Sequence, residues 1–294
     1  MAVFKGAGVA IATPFKSDGS IDYAEFDRLI EFQIENGTDS IVVCGTTGES
    51  ATMTEEEHTE VVSHCIKRVN HRVPVVAGAG SNATATAVML SKHAEADGAD
   101  ALLSVTPYYN KGTQDGMVRH FTAVSEAVNI PVIVYNVPSR TGSNISPESM
   151  GRLVKETKNV RGIKDATGDL AYAALTMRQC GKDLAYYAGN DDVIVPIMAL
   201  GGVGVISVLS NIAPKQTHDI CQAALDGDFN TAARLQIEAI SLIKALFIEV
   251  NPIPVKKALE FLGYKSTAMR LPLTDMTEAN AAKLKKEMEA YGLL

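Results

Sequence analysis

Short apolar runs recur along the chain at even spacing, and between them the apolar positions fall three and four residues apart. The runs are GVAIAT (8–13), SIVVCG (40–45), VPVVAGAG (73–80), ALLSVTP (101–107), PVIVYNV (131–137), VRGIKDA (160–166), LAYYAG (184–189) and GVGVISVLS (202–210). They are rich in Val, Ile, Leu and Ala with little alternation, as expected of parallel strands covered on both faces. The intervening segments, such as Tyr23–Gly37 and Ala85–Gly98, read as amphipathic helices closed by a glycine. Eight successive strand–helix units without a linker-like break predict an α/β chain, a (β/α)8 TIM barrel over residues 1–225. Three further helical patterns, 230–250, 255–264 and 278–294, predict a C-terminal helical appendage over residues 226–294.

Composition narrows the class. At 294 residues and 46% hydrophobic, the chain can bury a large core, and its 27 basic and 34 acidic residues give a net charge of −7. That charge disfavours nucleic acid and anionic membrane surfaces as partners. No apolar run reaches the roughly 18 residues of a membrane span, and the N-terminal MAVFKGAGVAIATPF lacks a leader pattern, so a cytoplasmic location is expected. Cys44, Cys65, Cys180 and Cys221 show no metal-ligand or CxxC spacing and read as reduced, packed thiols.

In such barrels chemistry sits where strands end. Strand two ends in CGTTGES (44–50), strand four in TPYYNKG (106–112), strand five in YNVPSRTG (135–142), and strand six carries Lys164. Hydroxyls, phenols, one arginine and one lysine therefore converge on one rim. The six histidines fall in helical segments or helix-to-strand connections, with no HxH or HExxH pair, so no metal and no other cofactor is expected. Val160, Gly162 and Lys164 share one strand face. If that face looks into the barrel, Lys164 is a buried amine, and desolvation draws its pKa from about 10.4 towards roughly 7, where it can attack a ketone. The alternative is a lysine paired with a carboxylate such as Asp165, whose opposite strand parity weakens that reading. Gly162 on the same face is expected to leave room for the ketone. Tyr135 ends the neighbouring strand and could face the amine. Thr46 and Thr47 offer hydroxyls and backbone N–H groups to a carboxylate or a proton relay, or simply cap the next helix. Arg140 follows Pro138 and suits bidentate binding of a carboxylate, or else a surface salt bridge.

Two glycine motifs compete with this reading. Gly78-Ala79-Gly80-Ser81-Asn82-Ala83 fits a GxGxxA dinucleotide fingerprint, but in the third unit of the run rather than the first. Gly201-Gly202-Val203-Gly204 is either a phosphate loop near strand eight or a turn leading into that strand.

Taken together and in order, CGTTGES, TPYYNKG, YNVPSRTG and GIKDATGD resemble the dihydrodipicolinate synthase family, a resemblance that extends to GNDD at 189–192 and NPIPVKKAL at 251–259. The resemblance implies an aldol-type condensation of pyruvate with L-aspartate-4-semialdehyde through a Schiff base, in lysine and diaminopimelate biosynthesis. It implies Lys164 as the imine-forming lysine, Tyr135 and Thr47 as proton relay, Thr46 as a pyruvate ligand, Arg140 on the semialdehyde carboxylate, and the Gly189 and Ile206 backbones lining the pyruvate site. It also implies Tyr109 as a relay tyrosine supplied by a neighbouring subunit of a homotetramer, a dimer of dimers. Feedback-inhibited members bind lysine at positions matching Ser50, Ala51, Glu55, His58, Asn82, Thr86 and Tyr108. Here Thr86 replaces a glutamate and Glu55 a histidine, so weak or absent lysine inhibition is expected. The alternative within the superfamily is a sialic-acid or 2-keto-3-deoxy-sugar-acid lyase using the same imine; outside it, a barrel that binds pyruvate or an amino acid as a sensor.

Overall fold

Apolar strands of four to six residues have two faces and two edges to cover, and a closed barrel with helices outside covers all of them. The computed structural model describes residues 2–294, and in it eight parallel strands close in chain order, each pairing with the next and the last with the first. They are β1 (Gly6–Ala10), β2 (Ser40–Val43), β3 (Val75–Gly78), β4 (Ala101–Val105), β5 (Val132–Asn136), β6 (Val160–Asp165), β7 (Ala185–Ala188) and β8 (Gly204–Ser207). The helices of the barrel units are α1 (Tyr23–Glu35), α2 (Glu55–Val69), α3 (Thr84–Asp97), α4 (Gln114–Glu126), α5 (Pro138–Thr141), α6 (Pro147–Glu156), α7 (Leu170–Cys180), α8 (Ile194–Ala199) and α9 (Pro214–Leu225). Three more follow: α10 (Phe229–Ala245), α11 (Ile253–Phe261) and α12 (Glu278–Ala290).

Local chemistry sets the boundaries. Asp22 caps α1, Thr54 and Glu57 form a reciprocal capping box on α2, and Gly98 ends α3 in a left-handed conformation. β1 and β8 stop furthest short of their expected ends. β1 begins at Gly6 and ends at Ala10, where the Asn211 side chain captures backbone groups: it accepts from the Ala12 N–H and donates to the Ala10 carbonyl. β8 stops at Ser207 because the Asp191 carboxylate takes the N–H groups of Val208 and Leu209 and turns the chain into a 3-10 segment.

The barrel interior is packed by Ala10, Val42, Val76, Leu103, Ile133, Tyr135, Tyr187 and Ile206. Phe4 closes the bottom. Its ring stacks on Tyr187 at 4.6 Å, and the Tyr187 hydroxyl donates to the Phe4 carbonyl. The larger core lies between the strands and the helices.

The C-terminal helices are tied to the barrel by a buried ion pair. Lys256 of α11 bonds to Glu49, just past β2, with its amine also over the Phe15 ring. Arg270, between α11 and α12, pairs with Glu57 of α2 through both carboxylate oxygens. Breaking a buried pair strands the remaining charge, at a cost of about 3–5 kcal/mol. Lys256→Met should therefore destabilise the chain by about that amount in urea unfolding, and adding Glu49→Gln should recover much of it because no bare charge remains. Equal losses in the single and double variants would contradict this.

Candidate active site

Strand register brings the candidate residues together. Tyr135 of β5 lies opposite Lys164 of β6, and Lys164 lies opposite Tyr187 of β7. Tyr135 and Lys164 point into the barrel near its C-terminal end, while the Tyr187 ring, on the same inner face, reaches down to Phe4. The Lys164 side chain is buried, at 5% exposure, and its amine sits over the Tyr135 ring, 4.4 Å from the centroid. A cavity of about 320 Å³ opens above it, lined by Thr46, Thr47, Tyr135, Arg140, Lys164, Gly189 and Asn251 among others.

Burial is the main cause that lowers the Lys164 pKa to about 8. The Asp191 charge opposes that shift and the Arg140 charge adds to it. The nearby carboxylates are engaged elsewhere. Asp165, on the outward parity, accepts from the Thr167 amide (3.0 Å), the Thr167 hydroxyl (3.0 Å) and the Tyr186 hydroxyl (2.6 Å). Asp191 is held by the Val208 and Leu209 amides at 3.0 and 3.1 Å, and burial pushes its pKa up. A carboxylate-paired Lys164 is thus not what the barrel builds. Tyr135 is also pushed up by burial, with the Arg140 charge and the Thr46 hydroxyl opposing.

Several expectations change in detail. Gly162 does not make room for a ketone: a Cβ there would lie 2.9 Å from Ile133 Cγ1, so the glycine admits the neighbouring strand's side chain. Ile206 packs inside the barrel, and Val208, two residues on, lines the cavity. Gly80 faces strand backbone, where a Cβ would come within 2.3 Å of the Val105 nitrogen, and the closed barrel leaves no open-sheet crevice for a dinucleotide. Gly201 to Gly204 lie at the N-terminal end of β8, opposite the rim, which removes the phosphate-loop reading. Among the described residues no group of three His, Cys, Asp or Glu is placed to hold a metal ion.

Tyr109 is 89% exposed in a left-handed backbone conformation (φ 71°), outside its own chain's cavity. A second cavity of about 510 Å³ adjoins the first and shares Thr46, Tyr135, Val137, Arg140 and Asn251 with it. Ser50, Ala51, Glu55, His58, Thr86 and Tyr108 line this outer cavity; Asn82 does not, and its carbonyl accepts instead from the Asn110 side chain.

Asn251, Asp191 and Phe247 carry no role in the sequence motifs, yet the fold brings all three to or beside the Lys164 cavity. Asn251 and Phe247 arrive from beyond the eight-unit pattern, so barrel periodicity carries no signal for them. Asp191 lies in a strand-end loop, where its position was readable.

A family model described as the dihydrodipicolinate synthetase family matches residues 3–291, nearly the whole chain. The chain belongs to this family. A relative from Lachnoclostridium phytofermentans, named 4-hydroxy-tetrahydrodipicolinate synthase, is 53% identical over 294 residues, all of both chains. The crystal structure of dihydrodipicolinate synthase from Aquifex aeolicus superposes with a TM-score of 0.97 at 45% identity, covering 99% of each chain. That of the chloride-inhibited Acinetobacter baumannii enzyme, complexed with pyruvate, gives 0.96 at 44% identity, again covering 99% of each. A member of the dihydrodipicolinate synthetase family with this rim has an amine whose proton affinity is set by burial and two opposing charges. Asp191→Asn should therefore lower the pH at which Lys164 becomes reactive towards a small acylating reagent, and Arg140→Met should raise it, both read by peptide mass spectrometry against pH. Shifts of the opposite sign would contradict the charge assignment.

Proposed function

We propose that this chain is a 4-hydroxy-tetrahydrodipicolinate synthase, joining pyruvate to L-aspartate-4-semialdehyde through an imine on Lys164. The observation that carries the reading is a buried lysine amine with its pKa drawn to about 8, beneath a cavity that also holds Arg140. A neutral amine is a nucleophile, and an imine makes an electron sink of a keto acid.

In this reading the Lys164 lone pair attacks the pyruvate ketone carbon, and the carbinolamine loses water to give the imine. Loss of a methyl proton gives the enamine, whose carbon attacks the aldehyde while the aldehyde oxygen takes a proton. The amine of the condensed product then attacks the imine carbon, closing the ring and releasing Lys164. Tyr135, whose ring lies under the amine, and Thr47, on the wall of the same cavity, are the proton carriers; Thr46 and the Gly189 backbone hold the pyruvate end. Arg140, at the join of the two cavities, is suited to the semialdehyde carboxylate. One fixed cation matches a short acid. A lyase acting on a long polyol gains nothing comparable from it.

Tyr109 supports a site completed by a second copy: an aromatic 89% exposed, held at φ 71° on the rim, has no work in its own chain. A homotetramer built as a dimer of dimers accommodates this, with the dimer as the competent unit.

Borohydride reduction in the presence of pyruvate should add one reduced pyruvyl group to Lys164, seen by peptide mass spectrometry, and the untreated protein should turn over aspartate semialdehyde. An adduct on another lysine, or none on the folded chain, would sink the imine mechanism; an adduct without semialdehyde turnover would favour the lyase. Separately, mixing Tyr109→Phe with Lys164→Ala chains should restore part of the turnover that each lacks. No recovery in hybrids verified by mass would mean that Tyr109 does not act across an interface.

A further inference from the structure

Asn251 lies in the segment between α10 and α11, outside the barrel strands, yet its side chain reaches the strand-two turn. Its Nδ2 donates to Thr47 Oγ1 at 3.0 Å. Its backbone carbonyl accepts from the Arg140 guanidinium at 3.4 Å. It lines both cavities, at the wall they share. We propose that Asn251 is a positioning residue for the condensation, aiming the Thr47 hydroxyl into the Lys164 cavity while its carbonyl steadies Arg140. This rests on the reading of Thr47 as a proton carrier given above.

The hydroxyl's bonding capacity fixes where its proton can go. A threonine hydroxyl has one proton and two acceptor lone pairs. With the Asn251 amide filling a lone pair, the proton of Thr47 must be donated elsewhere, and the remaining open side is the cavity. The accepted bond also polarises the hydroxyl, so that it gives up its proton more readily. A threonine without this partner would rotate and present either end.

The burial of Asn251 favours a positioning role over a packing role. The residue is 5% exposed, and its Oδ1 is buried without a partner. An amide with one end unpaired is a poor choice for packing, since a buried polar atom without a partner costs stability. The segment is fixed by a second tie close by, the Lys256–Glu49 pair, whose Glu49 lies two residues beyond Thr47. The C-terminal region thus grips one turn twice, once by charge at Glu49 and once by an aimed amide at Thr47.

The test is a double-mutant cycle on the full-length protein, with steady-state turnover of pyruvate and aspartate semialdehyde as readout. Asn251→Ala should lower kcat on the order of tenfold to a hundredfold, with a much smaller change in KM for pyruvate. In a Thr47→Val background the same change should alter kcat less than about twofold, because the group it aims is gone. Should Asn251→Ala fail to fold, as judged by thermal melting, Asn251→Leu keeps the volume without the donor and takes its place in the cycle. Losses that multiply in the double variant, or a kcat within about twofold of the parent for the single Asn251 variant, would overturn the positioning role while leaving the imine on Lys164 intact. A Thr47→Val chain with unchanged turnover would overturn the positioning role and the proton-carrier reading together, and borohydride trapping on Lys164 would still report separately on the imine.

Discussion

An ammonium group is costly to remove from water unless a carboxylate meets it, and the barrel encloses Lys164 while directing the nearby carboxylates to other donors. The remainder of the site depends on that constraint. Phe4 and Tyr187 seal the barrel below, and the Tyr135 ring covers the amine from the neighbouring strand. Asp165 is turned outward to Tyr186 and Thr167, and Asp191 spends one oxygen on the Val208 and Leu209 amides. What is left is an amine that loses its proton near pH 8 in a cavity open to a small ketone.

The C-terminal helices belong to the same account. Here Lys256 holds Glu49, Arg270 holds Glu57 at the start of α2, and Asn251 meets Thr47 between them. A charged pair supplies tenure and the neutral amide supplies direction. Precision of this kind matters because misplacement of a reacting group by about 1 Å can cost two orders of magnitude in rate.

Much of this was legible in the chain. Eight apolar runs, each followed by a helical pattern, call for parallel strands covered on both faces, and closing them into a barrel also leaves no edge; parity placed Gly162 and Lys164 on one face, which the closed barrel makes the inner one, whereas a register shift in the β5–β6 pairing sends Val160 to the outer core. Strand ends were less legible: β1 and β8 stop where the side chains of Asn211 and Asp191 capture backbone groups, and those partners lie 199 and 17 residues away along the chain. Gly162 was misread because its space is claimed by Ile133 of the adjacent strand, a fact of register rather than of local pattern. Asn251 was passed over because an asparagine before a proline looks like a turn, and its bond to Thr47 spans 204 residues.

Enclosure in the barrel, rather than a bound carboxylate, sets the state of Lys164. An NMR titration of the Lys164 amine in protein labelled with 15N-lysine tests it directly, with Lys164→Ala used to assign the signal. With the amine enclosed, the midpoint in the free chain is expected near 8. A midpoint near the ordinary lysine value of about 10.4 would contradict it.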